Sequence, residues 1–436
     1  MHITSLCTLG KFEQRSGVPA TTLSTGNVAH DAKQAAFICR KSRMRSPVLI
    51  VAIWFSLIAQ AYASSLSPGW YTASGRTIYV GVEHELPEPA ANDFFDPASL
   101  HTGVLRATHD LWLRRSIFEQ RHIIETPQGR LAFSLYSAGE QARATVILIH
   151  GNDPEAREMG FIIPYFVCNQ INVISYDQRG VGQSAGNWFL NGPDQRADDV
   201  ERIYDAMRTN PHVDSRRIGV WAFSNGGWTA PAVAAQRSLA FMILKSAPTE
   251  TLAQNIDYEV EQQMRRHGAQ AAAPEAVALW HAFERSLDGG VPWDETKRLY
   301  DRDAKQPWFK YSLMPDLGVS IPPPHAMIAG LRRFVTFDPT DALLRVSSTP
   351  TLALYGALDR NVDASDSAAH LRAYLSRAGN RDVTIRTFAR AGHQLIVSKS
   401  GYNGDALQPQ RFTRGYPQIM LTWLAQRGFT RAPKAP

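Results

Sequence analysis

Cysteine is nearly missing from this chain of 436 residues, with three in all, at Cys7, Cys39 and Cys168. Two of them fall before residue 64, and a lone Cys168 cannot close an internal disulfide. Its apolar neighbours, Ile162 to Val167, make it a packed core thiol rather than a nucleophile. No C-x-x-C pair, no H-E-x-x-H and no phosphate-loop lysine motif occurs. Metal and nucleotide chemistry are therefore not expected, and no cofactor is assigned. Gly180 and Gly182 follow the apolar run Asn172 to Tyr176, but the next glycine, Gly186, comes one residue too late for a dinucleotide fingerprint. They are read as a tight turn, with Asp177 and Arg179 bracing neighbouring loops.

Excess charge is scarce too, once its position is considered. The formal net charge is +6, but residues 1–63 hold seven Lys or Arg against two acidic residues, leaving 39 basic against 38 acidic in the remainder. That balance gives a nucleic-acid partner no compositional support. The leader reads as a targeting segment: a basic cluster at Arg40, Lys41, Arg43 and Arg45, an apolar run from Val48 to Ala59, and Ala61-Tyr62-Ala63. Basic, apolar, small-x-small is a secretory signal, and the run is shorter than the roughly 18 residues of a membrane span. Cleavage after Ala63 is expected, with export to the periplasm or medium and no stable membrane partner afterwards; the alternative is an uncleaved anchor. A complete signal beginning at Met44 also makes Met44 the expected initiator.

What is present in abundance is β-strand followed by sharp turn. Arg217 to Phe223 is a short apolar run ending in Ala222-Phe223-Ser224-Asn225-Gly226, and a small-residue helix start follows. Strand, turn and helix form an elbow that exposes a serine, provided the residues two before and two after it are small. Ala222 and Gly226 fill those positions, Ala222 where glycine is usual. Asp359 lies just past the strand Pro350 to Tyr355, in Tyr355-Gly356-Ala357-Leu358-Asp359, at the end where open parallel sheets carry their functional groups. Asp363 competes, but Asp359 is nearer the strand. His393 follows the strand Val383 to Phe388 in Arg390-Ala391-Gly392-His393. Ser224 is thus the candidate nucleophile, His393 its base, and Asp359 the group that fixes the imidazole.

A tetrahedral intermediate needs fixed donors for its oxyanion. The buried run Ala144 to His150 ends in His150-Gly151-Asn152-Asp153-Pro154, and the candidate donors are the backbone amides of Asn152 and Asn225, the latter at a helix start. His150 and Gly151 are expected to brace the loop.

Together with Ser175-Tyr176-Asp177-Gln178-Arg179-Gly180-Val181-Gly182-Gln183-Ser184, similar to an Asp-x-Arg-Gly-x-Gly-x-Ser segment, these motifs resemble the α/β-hydrolase superfamily. The closest likeness is to its bacterial esterase and serine-aminopeptidase-like branch, which includes dienelactone-hydrolase-like and prolyl-oligopeptidase-like members. The resemblance runs from about Ile117 to the carboxyl end. It implies a mostly parallel, eight-stranded-type sheet with helices on both faces, and an acyl-enzyme mechanism.

The organisation expected is a leader (1–63), a short β-rich extension packed on the core (64–116), the first part of the hydrolase core (117–247), a helical lid (248–345) and the rest of the core (346–436). Ile117 to Ile124 and Leu131 to Tyr136, joined by Thr126-Pro127-Gln128-Gly129, read as a hairpin at the sheet edge. In the lid, Thr249 to Leu287 is helical by apolar spacing, and Glu259, Glu261 and Glu284 read as solvated helix faces. With no acidic cluster to hold a substrate ammonium, a small-molecule carboxylic ester is the favoured substrate. A serine aminopeptidase or amidase is the first alternative, and a non-catalytic binding protein on the same fold the second.

Overall fold

The computed structural model describes residues 117–157, 159, 162–402 and 412–430, together with the backbones of four short strands earlier in the chain. These are β1 (Gly69–Ala73), β2 (Arg76–Val80), β3 (Asp93–Phe95) and β4 (Leu113–Arg114), which form a small sheet in the order β3-β2-β1-β4. The expected leader with its cleavage site and Met44, and the packing of the extension on the core, lie outside the described residues.

The main sheet has eight strands: β5 (Phe118–Ile124), β6 (Leu131–Ser137), β7 (Arg143–Ile149), β8 (Asn172–Tyr176), β9 (Val213–Phe223), β10 (Met242–Lys245), β11 (Thr351–Gly356) and β12 (Val383–Phe388). Their order is β12-β11-β10-β9-β7-β8-β6-β5. Only β5 with β6 and β6 with β8 pair antiparallel; the pairs from β8 through β7 to β12 are parallel. The cause is legible in each strand. Strands β8, β10 and β11 are buried at every residue, as parallel strands covered on both faces must be. Strand β5, at the edge, alternates and leaves Phe118 and Ile123 exposed. The hairpin turn is closed by the Gly129 amide donating to the Thr126 carbonyl at 2.9 Å.

The helices are α1 (Ile162–Cys168), α2 (Pro193–Met207), α3 (Gly226–Gln236), α4 (Leu252–Arg266), α5 (Ala273–Leu287), α6 (Trp293–Asp303), α7 (His325–Val335), α8 (Thr340–Leu343), α9 (Ala364–Arg377) and α10 (Tyr416–Gln426). Val200 and Ile203 of α2, Val233 of α3 and Leu371 of α9 bury one face of the sheet. Phe166 of α1 and Met420 and Leu424 of α10 bury the other. Between β10 and β11, α4 to α7 gather a separate apolar cluster around Val260, Leu279, Phe283 and Leu331. Helix α4 begins with a capping box, in which Thr251 Oγ1 accepts from the Gln254 amide and Gln254 Oε1 from the Thr251 amide. Cys168 ends α1 half-buried, less enclosed than the core thiol expected, because the apolar face of α1 stops at Val167. Among the described residues no helix is long and apolar enough to cross a membrane.

This topology fixes where function can sit. Strand β7 pairs with β8 on one side and β9 on the other, so the chain reverses its winding there and a crevice opens beyond the carboxyl ends of β7 and β9.

Candidate active site

Ser224 occupies that crevice at the end of β9. Its φ of +51° is left-handed, which a non-glycine residue adopts only where the surroundings over-determine it. Here the Ser224 amide donates to the Lys245 carbonyl at 3.0 Å, and the Ser224 carbonyl accepts from Gly227 at 2.8 Å as α3 begins. The elbow presses on the end of β7. A Cβ at Gly226 would stand 2.7 Å from the His150 carbonyl oxygen, so that position admits no side chain. Ala222, fully buried, has the room for its one methyl.

His393 Nε2 lies 3.0 Å from Ser224 Oγ, and His393 Nδ1 lies 2.8 Å from Asp359 Oδ2. The other oxygen of Asp359 accepts from the Asn361 and Val362 amides at 2.9 and 3.0 Å, which aims the carboxylate at the imidazole. Asp359 is buried and His393 nearly so. Asp363 instead caps α9, accepting from the Ser365 and Asp366 amides. Gly356 lets the histidine loop approach β11, since a Cβ there would collide with the Ala391 carbonyl oxygen. Ser246, also at positive φ (+48°), donates from Oγ to the His393 carbonyl at 2.7 Å. One side of the imidazole packs on Phe223, ring centroids 5.0 Å apart.

The candidate oxyanion loop lies against the serine. A Cβ at Gly151 would stand 3.4 Å from Ser224 Cβ. Among the described residues neither the Asn152 nor the Asn225 amide donates to a protein acceptor, so both are available to a ligand. His150 braces the loop: Nε2 donates to the Tyr176 carbonyl at 2.7 Å, and Nδ1 faces Glu155 at 3.1 Å. Asp177 and Arg179 act as braces as well. Asp177 accepts from the Arg157 and Gln183 amides, while Arg179 grips Asp199 with Nε and Nη2 and donates to the Gly129 carbonyl and Thr126 Oγ1.

Sequence reasoning missed the charges around this site. Lys245 is buried beneath the elbow, its Nζ 4.4 Å from the Phe223 ring centroid and 3.2 Å from Gln394 Oε1. Burial pulls its pKa down to about 7, against the opposing pull of Asp359 and Glu155. The expectation that Glu259 and Glu284 face solvent is corrected; Glu261 alone is exposed. Glu259 retains part of its surface, but α4 turns its carboxylate toward the acid loop, where Oε1 accepts from Asn361 Nδ2 at 2.6 Å. Burial pushes its pKa up to about 7 although His393 and Asn361 oppose the rise, and Asp359 and Asp316 add to it. Asp153 is also raised, by burial and then by Glu155, with His393 opposing. Asp153 from the β7 loop and Glu259 from α4 are thus two carboxylates raised by burial, a rise that His393 opposes in both. Helical spacing could not reveal this, because the partners come from the loop after β11. Tyr258 pins the same helix to that loop, its hydroxyl donating to the Asp359 carbonyl at 2.7 Å. Among the described residues no three His, Cys, Asp or Glu side chains converge to hold a metal ion.

A protein-family profile described as "Serine aminopeptidase, S33" matches residues 140–399. A search of curated proteins finds no match. Among solved structures, an esterase of Pyrococcus furiosus aligns at 16% identity over 64% of this chain and 84% of its own, with a TM-score of 0.43. An α/β hydrolase from a Penicillium species aligns at 17% identity over 63% and 91%, with a TM-score of 0.40. An acylaminoacyl peptidase of Pyrococcus horikoshii aligns at 12% identity over 74% and 43%, with a TM-score of 0.44.

Proposed function

We infer what this protein does from the premise that it belongs to the serine aminopeptidase S33 family within the α/β-hydrolase superfamily; it is a hydrolase, and we propose that Ser224 is its nucleophile and a carboxylic ester its substrate. The observation that carries this reading is the unbroken hydrogen-bonded chain from Ser224 Oγ through His393 to Asp359. In the proposed reaction Ser224 Oγ attacks the ester carbonyl carbon while its proton passes to His393 Nε2. Asp359 accepts from Nδ1–H and stabilises the imidazolium. The Asn152 and Asn225 amides receive the oxyanion, on a loop and a helix start that need no rearrangement. His393 then protonates the departing alcohol, and a water activated by the same nitrogen releases the acid from the serine. An alcohol leaves readily once protonated, so an ester asks nothing of the site beyond these groups.

A second reading has its own observation. The preference for esters over amines drew on an absence of carboxylates near the nucleophile, and Asp153 and Glu259, each coupled to His393, weigh against that argument. Two carboxylates coupled to the triad histidine would hold a substrate ammonium, as an aminopeptidase requires.

The full chain should be assayed on short-chain p-nitrophenyl esters, on aminoacyl and prolyl p-nitroanilides, and on the same anilides with the amine acetylated. Ester turnover that falls about a thousand-fold or more in Ser224→Ala supports the first reading. Anilide turnover that exceeds it and is lost on acetylation replaces it with the second. Silence on every substrate, with a Ser224 inert to an organophosphate probe, leaves a binding protein on a hydrolase fold.

A further inference from the structure

Arg196, on the first turn of α2, is a charged side chain that the proposed chemistry does not use, yet it is only 4% exposed. Its Nε donates to the Asn191 carbonyl at 2.8 Å and its Nη1 to the Gly151 carbonyl at 3.2 Å. Its Nη2 is buried with no acceptor among the described residues. The guanidinium lies under the ring of Phe334 on α7, 4.9 Å from its centroid, and 5.7 Å from that of Trp188. Burial lowers its pKa to about 10, with Tyr176 and Asp199 opposing, so it stays charged at neutral pH. A buried cation with an unfilled donor is costly, and the packing of α2 against the sheet does not require one.

The Gly151 carbonyl and the Asn152 amide belong to one peptide plane. The only cis peptide among the described residues is Ile321–Pro322, so this peptide is trans and its C=O and N–H point in opposite directions. A donor that fixes the carbonyl therefore fixes the amide, turned away from α2. A cation on the carbonyl also polarises the plane and makes the N–H a stronger donor.

We propose that Arg196 is a positioning residue for the oxyanion site: through the Gly151 carbonyl it orients and strengthens the Asn152 amide, and the Phe334 ring of the lid holds it in place. This rests on the serine-hydrolase reading above. It makes the lid part of the oxyanion machinery, because α7 touches the group that holds the loop.

The test compares wild type, Arg196→Lys and Arg196→Met on an oxoester and its thionoester, whose C=S is a poor hydrogen-bond acceptor. Arg196→Met should lower oxoester kcat about ten-fold or more with little change in KM, and lower the oxoester-to-thionoester rate ratio by a similar factor, with Arg196→Lys restoring part of both. A role confined to packing would slow both substrates alike. An unchanged ratio overturns the proposal. A second measurement is independent of turnover: in 15N-labelled Ser224→Ala protein, the Asn152 amide resonance should shift on adding Arg196→Lys. If that resonance does not move, the proposal fails whatever the assay gives. If it moves but the wild type hydrolyses nothing, the positioning stands and it is the hydrolase reading that falls.

Discussion

The carboxylates at the carboxyl end of the sheet and those of the helical insertion α4 to α7 are partnered in different ways. At the sheet end, Asp199 is held by two nitrogens of Arg179, Asp177 by two backbone amides, and Asp359 by two amides and the imidazole. These bonds form as the chain folds, and they orient each group before any substrate arrives. In the insertion, Glu284 Oε1 is buried with no partner among the described residues, and burial pushes its pKa up to about 7, Asp257 adding to the rise. Asp316 is raised by burial with nothing opposing, and Glu259 keeps one side-chain bond. Asp177, Asp199 and Asp359 are spent on fixed geometry, as electrostatic preorganisation demands, whereas Asp153 and Lys245 beside them are shifted by burial. The insertion leaves carboxylates whose protonation depends on pH.

The contrast breaks most visibly at Asp359. Asp359→Asn keeps the shape of the side chain but offers an amide where His393 Nδ1–H needs an acceptor, which disfavours the required tautomer. Turnover should fall by about 10⁴-fold, the scale of this change in an unrelated triad enzyme. Asp363→Asn, four residues on, changes a helix cap that asparagine serves nearly as well, so activity should stay within about two-fold and stability within roughly 0.5 kcal/mol. Steady-state kinetics on the two variants side by side checks this. A larger loss at Asp363 would move the acid to that residue.

A stability measurement sharpens the comparison next. Arg179 and Asp199 are each at most 2% exposed, and Arg179 also ties the hairpin turn of β5 and β6 to the sheet. Removing the cation in Arg179→Met leaves Asp199, already raised by burial, without its main partner. Unfolding free energy by denaturant titration should drop by about 3–5 kcal/mol. Lys297→Met in α6, whose ion pair with Asp301 is exposed on both sides, should cost well under 1 kcal/mol.

How far residues alone reveal these parts follows from how local each signal is. The elbow, the strand ends carrying Asp359 and His393, and the Asp177 to Ser184 turn were readable because each is a short segment whose geometry its own residues dictate. Strands β8 and β12 match the predicted runs residue for residue. Helices α6 and α7 were not resolved by apolar spacing, because α6 carries few apolar residues and α7 follows a proline run. Glu259 was misread for the same reason that Arg196 went unnoticed: its partners lie far along the chain. Gly151 is 45 residues from Arg196, and Asn361 is 102 from Glu259. Only the folded chain joins them.

The smallest expected effect is the most specific to the lid. In the folded protein Glu259 has its pKa pushed up to about 7, well above the usual carboxylate range that it recovers on unfolding. Between those two values the folded state holds a proton that the unfolded chain gives up, so stability falls as pH rises through the window. The penalty is absent below the unfolded value and complete above about 7. Glu259→Gln keeps an oxygen for Asn361 Nδ2 and removes the charge, so it should raise Tm by about 2 °C or more near pH 8 and leave it unchanged near pH 4. A gain of equal size at both values would mean that the glutamine packs better and that the carboxylate is not strained. A loss at pH 8 would mean that Glu259 already has a cationic partner, and the contrast would then fail at Glu259.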